Sequence, residues 1–528
     1  MSGEDESKRA GRGGLALLAA NILFMMTGFV QQALLPRAIG LADYGAFSRV
    51  SAVSNIFNNV IVSSSIQGVS RVTAAAGDAE RQAFRVALRV HVGIALIGTA
   101  LLASVAPVVS YLQAAPEILS PIIVISGVLA VYGVYAPLVG YLNGRRQFGK
   151  QAGLNVAAAI LRTGGMVGVG WFFVKNADGF ARSLGTLPGL LGATVGAVLA
   201  STGIFLLALS WTGTGKKLEG ARPSTVPTPR EYIKVIAPVI IAQLLMNALM
   251  QADIFVLGRY ASIGAVAAPI GPGGVLMDAG KAANEWVAVY RACALFAFLP
   301  YQLLFSVTQV LFPMLAKAKQ DEGDERVAEL VARGSRIGAI LCGLMVSVIV
   351  AMPQPMIRLA YSADVAAAGA STLRILVLGQ GTFAMFGLVT TILVSLGKER
   401  AAMSLNGLAL ALLVLSSLGL VPYAEFGRAQ LMGQATAVVG ALAVSLVVGV
   451  FTAKRTAGAF IPLMTALRVG LCVALAAFAG LYTPPFGKLA TLAVAPLLAA
   501  AYLGLLIATR EIGRADLALV MSIVRRKK

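Results

Sequence analysis

Charge is what this sequence has least of. Only 12% of its 528 residues are Asp, Glu, Lys or Arg, against about 25% in an ordinary soluble domain. Acids are scarcer than bases, 23 against 43, which leaves a net charge of +20. There is one histidine, His91, and there are three cysteines, Cys293, Cys342 and Cys472, each inside an apolar run. That poverty excludes several classes. A single histidine gives no histidine-based catalysis or metal site, and three scattered cysteines give neither a disulfide framework nor a zinc motif. The surplus of bases would suggest nucleic acid if it lay on a soluble face. Here it lies between long apolar runs, so no nucleic-acid partner is expected. What fills the chain instead is apolar: 58% of residues and a mean hydropathy of +0.82.

A membrane helix needs about 20 mostly apolar residues. About fourteen such runs can be marked, near 13–35, 44–69, 86–112, 118–141, 153–174, 188–210, 234–257, 286–312, 335–357, 370–396, 403–421, 428–451, 462–483 and 486–509. The polar start MSGEDESKRAGR leads into a long span and not into a short apolar stretch with a small-residue cleavage site, so a first span is expected in place of a removed signal. Lys and Arg are retained on the cytoplasmic side. With the N-terminus inside, 31 of the 43 fall in inner segments and nine in outer ones, while Arg49, Arg162 and Arg291 fall within spans. Both termini are therefore expected in the cytoplasm. No segment between spans reaches the roughly 50 residues of a small domain, so any chemistry must occur within or at the edge of the bilayer.

The basic, Pro-rich segment WTGTGKKLEGARPSTVPTPREYIK falls after six runs and reads as a linker. On either side of it the sequence resembles itself. Residues 44–81 lie on 287–324 at a constant offset, so that Phe47 meets Tyr290, Asn59 meets Gln302 and Ser63 meets Ser306. YLNGRRQFGKQAGLN likewise matches LVSLGKERAAMSLN across a two-residue gap. An even number of spans per repeat makes the two repeats parallel, and parallel repeats with a site between them are a transporter architecture. The expected organisation is an all-α polytopic membrane protein: an N-lobe at 1–210, a linker at 211–233, a C-lobe at 234–455, and two C-terminal helices with a basic tail at 456–528.

Polar residues inside spans are costly and usually face a cavity or a partner. On a helical projection of 286–312, Arg291, Gln302, Ser306 and Gln309 fall within about 60° of one another. The equivalent span carries Ser48, Arg49, Ser51, Asn55, Asn58, Asn59, Ser63 and Gln67 over an arc of about 180°. Arg162, in NVAAAILRTGG, is a third cation within a span. The Ser, Asn and Gln set would serve equally as glue between helices, and Arg49 and Arg291 as snorkelling anchors. A shared cavity with several arginines and few acids argues for an anionic substrate, because the guanidinium fork holds oxyanions bidentately. Asp253, in LMQADIFVLGRY, is the candidate for binding a coupling cation. His91 follows Arg85 and Arg89 and reads as interfacial. Gly192 and Gly196 read as a close helix contact. No catalytic set and no metal ligands stand out.

The stretch ALLPRAIGLADYGAFSRVSAV at 33–53, followed by ADIFVLGRY, VYRACALF and LFPMLAKAKQ at 252–320, resembles bacterial polysaccharide-biosynthesis membrane proteins. These are the O-antigen-type flippases of the multidrug/oligosaccharidyl-lipid/polysaccharide exporter superfamily. The resemblance extends through about residue 450. It implies two parallel six-helix lobes in a V around a central cavity, two extra C-terminal helices, and an undecaprenyl-pyrophosphate-linked oligosaccharide as substrate. By the same resemblance, Arg49 and Arg291 on the second and eighth spans face the cavity, and the last two helices guide the lipid tail. No cofactor is implied. Drive would come from a proton or sodium gradient, the membrane potential or product consumption, in the bacterial inner membrane. Membrane lipids, a polysaccharide polymerase and export machinery are the implied partners. The rival expectations are a multidrug/cation antiporter of the same fold, which needs cavity acids, and a membrane glycosyltransferase or polymerase, which needs a catalytic carboxylate or histidine set.

Overall fold

The computed structural model describes residues 23, 25–212, 226–268 and 278–513. The start of the first apolar run, most of the linker, residues 269–277 and the basic tail lie outside them. All regular structure among the described residues is helical. The helices are α1 (25–39), α2 (Leu41–Ala75), α3 (Glu80–Gln113), α4 (Leu119–Gly144), α5 (Phe148–Asn176), α6 (Asp178–Ser183), α7 (Pro188–Thr212), α8 (Pro229–Ala267) and α9 (Ala279–Ala297). They continue as α10 (Leu299–Asp321), α11 (Asp324–Ala351), α12 (Pro353–Ala360), α13 (Ala363–Ser395), α14 (Glu399–Leu420), α15 (Arg428–Ala457), α16 (Leu463–Ala479) and α17 (Lys488–Ala508). Among the described residues the apolar runs fall on helices, two of the runs on a pair of helices each. Eleven spans among the described residues are long and apolar enough to cross a membrane, and α16 is a shorter apolar helix. The chain is a multi-pass membrane protein.

Local signals explain the boundaries. Thr228 accepts from the Glu231 amide while the Glu231 carboxylate accepts from the Thr228 amide, a capping box that starts α8 just after the linker. Gly458, at φ 73°, ends α15 in the left-handed conformation that glycine adopts at little cost. Two spans are broken where one helix was expected. Pro300 has no amide proton to continue the ladder, and the run 286–312 divides at Phe298 into α9 and α10. Pro353 and Pro355 similarly separate α12 from α11.

The chain forms two compact units, Met1–Ala288 and Val289–Lys528. This division falls within α9, and α8 lies along α2 and α3 in the first unit. Within unit 1, α2 packs on α3 and α4, α4 on α3 and α7, and α5 on α7. Within unit 2 the same five neighbour relations recur: α10 on α11 and α13, α13 on α11 and α15, and α14 on α15. The internal repeat read from weak sequence similarity is thus a repeat of packing.

Candidate functional site: a cationic cavity in the first unit

Unit 1 carries a half-open cavity of about 310 Å3. One wall is the polar face of α2, with Ser51, Ser54, Asn55, Asn58 and Asn59. Tyr132 and Tyr135 of α4, Asn155 and Arg162 of α5, and Ser201 of α7 complete the polar lining. Phe47, Leu129, Val139 and Met166 are among its apolar residues. Arg162 is the only charged residue in this lining. It stands fourteen residues from each end of α5, which is about 21 Å of helix either way. Its side chain is exposed to the cavity and makes no hydrogen bond or ion pair among the described residues. A cation at the middle of a span is expensive, and here nothing described neutralises it.

The amides around it are held in place. Asn59 donates to the Asn247 side chain of α8 at 2.8 Å, and Asn247 donates onward to the Gln243 carbonyl at 2.8 Å. The Asn58 carbonyl oxygen is buried in the packing without a hydrogen-bond partner. Close packing of α5 against α7 sets the position of Arg162. A Cβ on Gly192 would lie 2.6 Å from Phe173 Cβ, and one on Gly196 would overlap the Gly165 carbonyl. Both glycines therefore hold the close helix contact expected of them.

The other candidates lie elsewhere. Arg49 is 2% exposed, and its Nη1 donates to Ser262 of α8 at 2.8 Å while Nε and Nη2 have no partner. Glu117 is near enough to attract it. It does not line the cavity. Ser63 is half-buried and also outside the lining. Asp253 is buried in α8, accepts from the Ile254 amide at 2.7 Å, and is likewise outside the lining. Arg291 is half-buried on α9 and belongs to unit 2 with Gln302, Ser306 and Gln309. The break at Phe298 interrupts the single helical register on which that stripe was drawn.

His91, expected only to be interfacial, is fully buried in protein three turns into α3, between Ser65 of α2 at 2.9 Å and the Tyr232 hydroxyl of α8 at 2.7 Å. Gly68 makes the room, since a Cβ there would meet the Tyr232 hydroxyl at 2.6 Å. Sequence reasoning passed over Tyr132 and Tyr135. Their spacing of three puts both on one helix face, and that was the available signal. Among the described residues no group of three or more His, Cys, Asp or Glu is placed to hold a metal ion.

The family model for polysaccharide biosynthesis proteins matches residues 10–319. The chain belongs to this family. No curated protein matches the sequence. Among solved structures, the lipid II flippase MurJ in its inward closed conformation aligns with a TM-score of 0.70 at 12% identity, covering 94% of this chain and 99% of that one. An inward-facing multidrug resistance MATE family transporter of the MOP superfamily aligns at 0.59 and 15% identity, covering 84% and 98%. The MATE multidrug transporter DinF-BH aligns at 0.58 and 16%, covering 85% and 95%. At these identities the likeness establishes the fold, that of the MurJ and MATE transporters.

Proposed function

We propose that this member of the polysaccharide biosynthesis family is a flippase. It carries a polyprenyl-pyrophosphate-linked oligosaccharide across the bacterial cytoplasmic membrane by alternating access. The observation that supports this reading most is the cavity itself: an amide- and hydroxyl-rich chamber with one unpaired arginine midway along its helix and no acid in its lining. Such a lining suits an anionic, hydroxyl-rich headgroup. A cation antiporter would be served by a carboxylate there, and Asp253 lies outside the lining. A glycosyltransferase or polymerase has no comparable observation in its favour.

In this reading the chain is a transporter with no catalytic step of its own. The headgroup enters the polar chamber while the polyprenyl tail stays in lipid, along α16 and α17. Arg49 and Arg291 are further cations on its route, and Asn55, Asn59, Ser63, Gln302, Ser306 and Gln309 offer hydrogen bonds. Both termini are cytoplasmic. Drive comes from the membrane potential or a proton or sodium gradient, with Asp253 as the candidate ion site. An inside-negative potential favours outward movement of an anion by about 2.3 kcal/mol per charge per 100 mV. Delivery to a polymerase and export machinery follows on the outer face.

The test is complementation of a strain lacking its lipid-linked-oligosaccharide flippase. Wild type should restore surface polysaccharide, and Arg162→Gln, expressed equally, should leave the lipid-linked sugar on the inner leaflet. Failure of wild type in several such strains, with efflux of a cationic dye instead, would put the antiporter in its place.

A further inference from the structure

We infer that the unit 1 cavity is a subsite for a singly charged sugar, a glycosyl residue bearing one carboxylate such as a hexuronic acid, and not the seat of the pyrophosphate. The inference rests on the flippase reading and specifies which part of the headgroup the cavity takes.

Three observations point the same way. The first is charge. Arg162 is the sole charged group in the lining and makes no ion pair among the described residues. One planar fork neutralises one carboxylate with two parallel hydrogen bonds. A pyrophosphate carries more than one negative charge, and against one guanidinium it would leave an uncompensated anion at the middle of α5, where charge is costly.

The second is the rest of the lining. Four asparagines and three serines share the lining with the arginine, so it offers both donors and acceptors. Sugar hydroxyls donate and accept, so they match this set. Phosphate oxygens of a diphosphate ester chiefly accept, and they would leave the acceptor half of the amide and hydroxyl lining unused. Tyr132 and Tyr135 add ring centroids 5.5 Å apart and inclined at 36°. They form an amphipathic wall of the kind that covers the C–H face of a pyranose ring while leaving polar edges free.

The third is size. At about 310 Å3 the cavity is at the small end of ligand pockets, which run from about 300 to 1,000 Å3. It admits part of a glycan headgroup and not a whole lipid-linked oligosaccharide.

The experiment uses the purified full-length protein in nanodiscs and saturation-transfer NMR. The probes are glucuronate, glucose and inorganic pyrophosphate, each titrated alone and in competition. Glucuronate should bind wild type about tenfold or more tightly than glucose, the increment of one charge-assisted contact. Arg162→Gln should abolish that difference and Arg162→Lys retain part of it, while Asn55→Leu, in the same lining, should weaken both sugars. Thermal unfolding of each variant reports its folding. Pyrophosphate should not displace glucuronate. Displacement by pyrophosphate through Arg162 would overturn the inference and make the cavity the diphosphate site. Equal binding of glucuronate and glucose, or no binding of either, would also overturn it. None of these outcomes touches the flippase reading, which leaflet-exposure assays decide independently.

Discussion

Arg49 separates what a residue does for folding from what it does for transport. Its guanidinium is 2% exposed, one nitrogen donates to Ser262 at 2.8 Å, and Nε and Nη2 have no partner. A buried ion so incompletely paired is not repaid for leaving water. Replacing such groups with apolar residues of similar volume is neutral or stabilising by about 1–4 kcal/mol. Arg49→Met removes the charge and keeps the length. It gives up the Ser262 hydrogen bond, worth about 1 kcal/mol net, and the attraction to Glu117. The expected balance is a stability unchanged or raised by about 1–3 kcal/mol, together with loss of transport, because the cation on the headgroup's route is gone. Ser262→Ala should do the reverse. It leaves a third nitrogen unsatisfied, costs about 1–3 kcal/mol and keeps the cation. Tryptophan-monitored unfolding in detergent and headgroup accessibility in vesicles measure the two properties separately. A marked fall in the unfolding temperature of Arg49→Met would refute the reasoning, since Arg49 would then be a strut.

Other expectations concern packing, the buried histidine and pH. Gly196→Val should lower the folded yield sharply because its Cβ would overlap the Gly165 backbone, whereas Gly164→Ala, facing open space, should fold normally; size-exclusion of detergent extracts compares them. His91→Leu strands both Ser65 and Tyr232 and should cost about 2–4 kcal/mol, against about 1 kcal/mol for Tyr232→Phe, as read from unfolding midpoints. Glu511, just after α17, accepts from Arg336 at 2.8 Å, Thr465 at 2.7 Å and Arg468 at 3.0 Å. Burial alone would raise its pKa, but these donors outweigh burial and hold it below the ordinary glutamate value. A depressed carboxylate stabilises the fold above its unfolded pKa and loses that contribution as pH falls through the folded one. The stability gap between wild type and Glu511→Gln should therefore be constant at neutral pH and close under acid, in unfolding scans across pH; a gap that widens under acid would contradict the assignment.

Much of the architecture was legible because the bilayer makes it so. A chain that must satisfy its backbone inside lipid has little choice but helices, and fourteen apolar runs could be marked from composition alone. The repeat was faint in identity yet plain in the neighbours of α2, α3, α4, α5 and α7. The breaks at Phe298 and Met352 were legible in principle, since Pro300, Pro353 and Pro355 stood in the sequence, but hydropathy averages over them. The site was legible in part. Arg162, Asn55 and Asn59 share one cavity, because a polar residue deep in a span must face something. Arg49 showed the same signal and is buried against α8, since depth along a helix does not say which neighbour lies opposite. Tyr132 and Tyr135 were hidden because a tyrosine in an apolar run looks like core. The partners of His91 were hidden because Ser65 and Tyr232 come from two other helices.

The central claim is that this chain moves a lipid-linked glycan, and reconstitution tests it most directly. Purified protein and Arg162→Gln would be placed separately in vesicles containing a polyprenyl-pyrophosphate oligosaccharide. The fraction of headgroups reached by an added membrane-impermeant, glycan-modifying enzyme would then be followed over time. Wild type should let the reachable fraction climb from the outer-leaflet share towards all of the lipid, while Arg162→Gln should stay near empty vesicles. A wild-type trace that stops at the outer-leaflet share, in vesicles shown to hold folded protein, with and without an imposed potential or ion gradient, would contradict the claim.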